Sequence, residues 1–121
     1  MKIKKTKYPF KYGNCVLCCL TSVTGKDSVH FRKYGIGQRP VENEVLMECL
    51  MNEFPGLVLM KNKGNLTIKD LCKLVEKKSN YIAVYDNHIM HFKRNQIIDT
   101  YAVIHKKTIL NSIPSHIIKL L

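Results

Sequence analysis

Gly13-Asn14-Cys15-Val16-Leu17-Cys18-Cys19-Leu20-Thr21-Ser22-Val23-Thr24-Gly25-Lys26 is the stretch on which the fold turns. No charged residue falls between Gly13 and Gly25, and apolar or small side chains fill the run from Cys15 to Val23. A segment that is apolar all round reads as a buried helix in the middle of a domain. Gly13 and Asn14 stand where helix-start residues stand, and Gly25 where a terminating glycine does. Cys15 then occupies the first turn, facing the positive end of the helix dipole, which favours the thiolate over the thiol.

Outward from this helix, residues 1–12 read as a basic arm or edge segment, extended around Tyr8-Pro9-Phe10 because proline disfavours helix before it. Asp27–Tyr34 reads as a short helical turn and Gly35–Pro40 as a loop. Val45, Leu46, Cys49 and Leu50 repeat at helical spacing, and Pro55-Gly56 stops that run. Leu57–Met60 has the look of a short buried strand, and Lys61–Asn65 of a polar turn. Thr67-Ile68-Lys69-Asp70 is a capping box with aspartate in place of glutamate. It opens a helix over Ile68–Lys77 with Ile68, Leu71, Cys72 and Val75 inward.

Three strands follow, Tyr81–Tyr85, His88–Phe92 and Gln96–Val103, with Lys93-Arg94-Asn95 turning between the last two. Ile117–Leu121 makes a closing strand. Helices first and an antiparallel sheet last predict an α+β domain. The length of 121 residues bounds it to one domain, divided as arm (1–12), core (13–103) and closing segment (104–121).

A thiol nucleophile needs a base beside it and a third group to orient that base. With Arg94-Asn95 as a two-residue turn, Lys93 faces Gln96, Met90 faces Asp99, and His88 faces Tyr101. His88 and Asp99 are then diagonal neighbours on one face, about 7–8 Å apart at Cα and within reach of a side-chain hydrogen bond. His91 projects from the other face and is the fallback base. Singly, a histidine in an apolar strand and a cysteine in a buried helix are ordinary core residues. Their conjunction, with an acid of matching parity, points to a catalytic Cys15, His88 and Asp99. A rival use of the Cys15-x-x-Cys18 spacing is zinc, but no second such pair completes a ligand set, so neither metal nor cofactor is expected.

Twenty basic residues against nine acidic give a net charge of +11, which fits an anionic partner, protein or nucleic acid; lysine-rich composition without any partner is the plainer reading. Five cysteines with no apolar leader after the basic N-terminus imply reduced thiols and a cytoplasmic protein, with Cys18, Cys19, Cys49 and Cys72 in the core. No apolar run is long enough for a membrane span, so no membrane partner is expected.

Asn14–Lys26 resembles the "DCVVRALAIATGK" opening of small papain-like cysteine peptidases of phages and prophages. Tyr81–Val84, His88 and Ile97-Ile98-Asp99-Thr100-Tyr101 resemble that family's "TYIV…GHV…IYDTW" segment, and Thr67–Leu71 fits the helix before it. The likeness covers residues 13–101. It implies a papain-like fold and a peptidase of viral origin acting on a protein or peptide in the host cytoplasm, with Cys15 as nucleophile, His88 as base and Asp99 as orienting acid. The chain departs from the pattern at Asn14, Cys18, Asn87 and Tyr101, and residues 1–14 hold no glutamine to donate to an oxyanion. Asn14, the Cys15 amide or a residue from elsewhere would serve instead. The alternative is a weak or inactive peptidase-fold effector that binds an anionic host protein or nucleic acid through its basic surface.

Overall fold

The computed structural model describes residues 1–121 as an α+β fold built on one mixed six-stranded sheet. In chain order the elements are β1 (Lys2–Lys4), α1 (Cys15–Thr24), a 3-10 helix (Ser28–Tyr34), α2 (Asn43–Glu53), β2 (Val58–Lys61), α3 (Ile68–Leu74), β3 (Asn80–Val84), β4 (Ile89–Lys93), β5 (Gln96–Ile98), α4 (Thr100–Ile104), α5 (Lys106–Leu110) and β6 (His116–Leu120). The strand order is β1-β5-β4-β3-β6-β2.

Helices cover both faces. Ile82, Ile89, Ile118 and Leu120 pack with α1, the 3-10 helix and α2, while Tyr81, Ala83, Met90, Phe92, Ile97 and Ile117 pack with α3, α4 and α5. Successive side chains of a strand alternate between faces, so strands buried on both sides are apolar at nearly every position, as Tyr81–Val84 of β3 and, but for His91, Ile89–Phe92 of β4 are. Glu53 at the end of α2 ties down the first layer. Its carboxylate accepts from Lys26 Nζ at 2.7 Å, His30 Nε2 at 3.0 Å and the Tyr34 hydroxyl at 2.9 Å.

The expectation of helices stacked on an antiparallel sheet is corrected in four places. First, β1 pairs parallel with β5, so the sheet is mixed and the N-terminal arm is in part its edge strand. Second, β6 does not close an edge but lies between β3 and β2. Third, β2 is exposed along its whole length and forms the opposite edge, where Leu57–Met60 had the look of a buried strand. Fourth, the strand expected over Gln96–Val103 ends at Ile98, because Asp99 accepts from the Ala102 N–H and starts α4. A side-chain cap at Asp99 outweighs the β-branched character of the residues after it. The helix begun by the Thr67 cap likewise stops at Leu74. No helix is long and apolar enough to cross a membrane.

Candidate active site

α1 starts at Cys15 and ends on Gly25, which takes the left-handed conformation at φ 70° and returns its N–H to Thr21 O. The first of its N–H groups to find a backbone acceptor is that of Cys18, which donates to Asn14 O. The N–H groups of Cys15, Val16 and Leu17 are left as open donors at the helix start.

The hairpin between β4 and β5 has the register that a two-residue turn requires, Lys93↔Gln96, Phe92↔Ile97 and His91↔Ile98, with Asn95 at φ 61°. His88 stands one residue before β4 and Asp99 one residue after β5. His88 Nε2 meets Asp99 Oδ2 at 3.1 Å. The same carboxylate oxygen accepts from the Ala102 N–H at 2.9 Å, and the Asp99 N–H donates to Lys4 O at 2.9 Å. The His88 side chain is 13% exposed and that of Asp99 5%, so the imidazole keeps an edge towards solvent and the acid does not.

The Cys15 thiol is electrostatically coupled to the same imidazole. With Nε2 taken by Asp99, Nδ1 is the ring nitrogen left for the sulfur. Burial raises the pKa of the Cys15 thiol, but the hydrogen bond and positive charge of His88, with the backbone of Ile89, outweigh it and hold the thiol below its usual value. Burial works against the charged imidazole of His88. The bonds to Asp99 and Cys15 and their charges win, and its pKa rises to about 9. Every other cysteine moves the opposite way. Burial pushes Cys18 to about 11, Cys49 and Cys72 to about 12, and Cys19 well up. Cys15 alone is biased towards the thiolate.

Aromatic rings frame the site. Tyr101 lies 5.2 Å from His88 between centroids and Tyr85 lies 6.5 Å away. Phe10 packs edge-on against Tyr101 at 6.0 Å. The N-terminal arm forms one wall: Thr6 N donates to Thr100 Oγ1 at 3.0 Å, directly beside Asp99. Nothing near Thr6 in the sequence points to this contact, since its partner lies 94 residues away.

Two sequence expectations are settled by hydrogen bonds. Asn14 is not free to serve as an oxyanion donor: its Nδ2 gives its hydrogens to Pro9 O at 3.0 Å and Gln38 Oε1 at 3.2 Å. Its Oδ1 accepts from Lys11 N at 2.9 Å, which fastens the arm to the start of α1. His91 does lie on the other face by parity, but that is the face beneath α1. There Ser22 Oγ meets its Nδ1 at 2.7 Å and Asn80 Oδ1 meets its Nε2 at 2.7 Å. Both ring nitrogens are spoken for, and burial, helped by Lys93, lowers its pKa to about 4, so it is a neutral packing residue. The Cys18 thiol points to Asn14 Oδ1 at 3.4 Å, and no three His, Cys, Asp or Glu side chains cluster in a way that could hold a metal ion.

No family model, no curated protein and no solved structure matches this chain.

Proposed function

We propose that the chain is a cysteine hydrolase of peptide or amide bonds, built on a papain-like scaffold. One observation carries this: a single imidazole is hydrogen-bonded to a buried carboxylate at 3.1 Å and, beside the thiol that opens a buried helix, holds that thiol's pKa below its usual value. The resemblance of residues 13–101 to papain-like phage peptidases supports it, with the same residues in the same order.

The chemistry follows from the protonation states. In the reactive form Cys15 is a thiolate beside imidazolium His88, and Asp99 holds the ring by its Nε2–H. The thiolate attacks the substrate carbonyl carbon, and the oxygen takes the negative charge. That oxygen develops at the start of α1, where the Cys15 N–H is an open donor and the helix dipole adds to it. His88 gives its Nδ1 proton to the leaving amine as the C–N bond breaks, leaving a thioester on Cys15. His88, now neutral, takes a proton from water as the water attacks the thioester. The product leaves as a carboxylic acid that gives its remaining proton to solvent, and the Cys15 thiolate and His88 imidazolium are restored.

An electrophilic thiol probe followed by peptide mapping tests the reading. Cys15 is expected to be modified at least ~10-fold faster than Cys18, Cys19, Cys49 and Cys72, as thiolate character dictates. His88→Ala is expected to remove that preference. Labelling spread over several cysteines, or indifferent to His88→Ala, overturns it.

A further inference from the structure

Charge in this molecule is segregated rather than merely abundant. Residues 27–53, which form the 3-10 helix and α2, hold three basic and five acidic residues. The remaining residues hold seventeen basic and four acidic. Of those four acids, Asp99 is buried against His88 and Glu76 is paired with Lys119. A composition bias alone would scatter lysines over every element. Here the 3-10 helix and α2 carry an acidic excess, and the basic excess lies on the arm, the sheet edges, α3 and α5.

The crowded side has a shaped centre. A groove of about 290 Å³ between α3 and α5 is lined by Lys69, Lys106, Lys107, Leu110 and Asn111. All three lysines are exposed, and none is in a salt bridge. Lys73 follows Lys69 by one helical turn on α3. Beyond it, Asn95 N donates to Cys72 O and Lys2 N to Asn95 O, so Arg94 and Lys2 continue the row to the β1 edge. Asp70 is the only carboxylate on α3, and it does not line the groove.

We infer that this α3–α5 side binds the phosphate backbone of duplex nucleic acid. Three lysines lining one groove with no carboxylate among the lining residues repel one another and are relieved by a row of anions. Lysine ammoniums suit single phosphate charges, and Asn111 Nδ2, which gives one hydrogen to Lys107 O at 3.0 Å, has its second to offer. No aromatic ring lines the groove on which an unpaired base could stack, so the contact is to backbone and takes no account of sequence. The surface shares no residue with the Cys15 site and stands whether or not that site is hydrolytic.

The test is titration of a duplex of about 30 base pairs with the full chain, at salt between about 50 and 200 mM. Two charge-matched triple variants are compared: Lys69→Gln/Lys106→Gln/Lys107→Gln in the groove, and Arg32→Gln/Lys33→Gln/Arg39→Gln on the acidic layer. Affinity is expected to fall steeply with salt, and the groove variant to bind at least ~10-fold more weakly with a salt slope smaller by about 2–3. The other triple is expected to bind within about twofold of the unaltered chain. Equal losses in the two variants would reduce the effect to net charge and overturn the assignment. So would competition by polyglutamate as effective as that by duplex, or no binding at the lowest salt. Unchanged thermal unfolding of both variants excludes misfolding as the cause.

Discussion

His88 and Asp99 are held 3.1 Å apart although neither lies in a strand. β4 begins just after the histidine and β5 ends just before the aspartate, so the Lys93↔Gln96 turn brings both to the same end of the sheet. The last approach is made at the helix start, where Asp99 Oδ2 also accepts the Ala102 N–H. One carboxylate therefore orients an imidazole and begins α4.

These two roles separate by substitution. Asp99→Asn keeps an oxygen for the cap but offers the imidazole a neutral partner. Its expected effect is a loss of hydrolytic rate of roughly 10²–10⁴-fold with little change in unfolding midpoint. Asp99→Ala loses the cap as well and is expected to cost about 1 kcal/mol further in a urea titration.

The paired shifts of Cys15 and His88 set a pH window. The thiolate–imidazolium pair forms as pH rises through the lowered pKa of Cys15 and is lost as His88 gives up its proton near pH 9. The rate of hydrolysis is expected to be bell-shaped, with its alkaline limb near 9. Alkylation of Cys15 should persist below the pH at which a free thiol stops reacting. In His88→Ala the thiol keeps the burial and the Asp99 charge that oppose ionisation, with only the Ile89 backbone against them, so its alkylation profile is expected to move to higher pH.

The N-terminal arm supports the acid from behind. Lys4 O takes the Asp99 N–H, and the Thr6 hydroxyl meets that of Thr100 at 3.1 Å. Thr6→Val removes the hydroxyl and nearly preserves shape. It is expected to lower kcat with little change in KM, because it loosens a positioning residue and touches no substrate. Deleting residues 1–5 removes β1 as well and is expected to reduce both the rate and the labelling preference for Cys15. An unchanged rate in both variants would show that Asp99 holds its place without the arm.

Legibility of this fold in the sequence follows the range of the interactions. α1 was plain because an uncharged run and a terminating glycine are local facts. The β4–β5 register was plain because one turn fixes it. Parity then paired His88 with Asp99, and the two side chains do meet at 3.1 Å, although both lie just outside their strands. What stayed hidden depends on distant partners. Three residues, Lys2–Lys4, give no sign of pairing parallel with Gln96–Ile98. The apolar run at Ile117-Ile118 does not announce that it enters the middle of the sheet, nor Val58–Met60 that it lies exposed on an edge. Asn14 had the right residue type and position for an oxyanion donor. Only the acceptors at Pro9 and Gln38 reveal that its hydrogens are committed.

His91 and His88 pull stability in opposite directions with pH. The folded-state pKa of His91 is lowered from 6.5 to about 4, because burial and Lys93 disfavour its charge. Its neutral form stabilises the fold fully above pH 6.5. As pH falls from there towards 4, the unfolded chain takes up the proton first and that contribution drains away. His88, raised to about 9, contributes fully below pH 6.5 and loses its contribution as pH rises through 9. Stability is therefore expected to peak near neutrality. Urea midpoints should fall between pH 6.5 and 4 by a share traceable to His91, of order 3 kcal/mol for a shift of this size. In His91→Leu the Ser22 and Asn80 groups lose their partner, so the protein is weaker throughout, yet its acid-side decline should be shallower. An equally steep decline in His91→Leu between pH 6.5 and about 5 would mean that the acid sensitivity resides in other groups, since Glu53, lowered from 4.5 to about 2, begins to lose its contribution only below about pH 5.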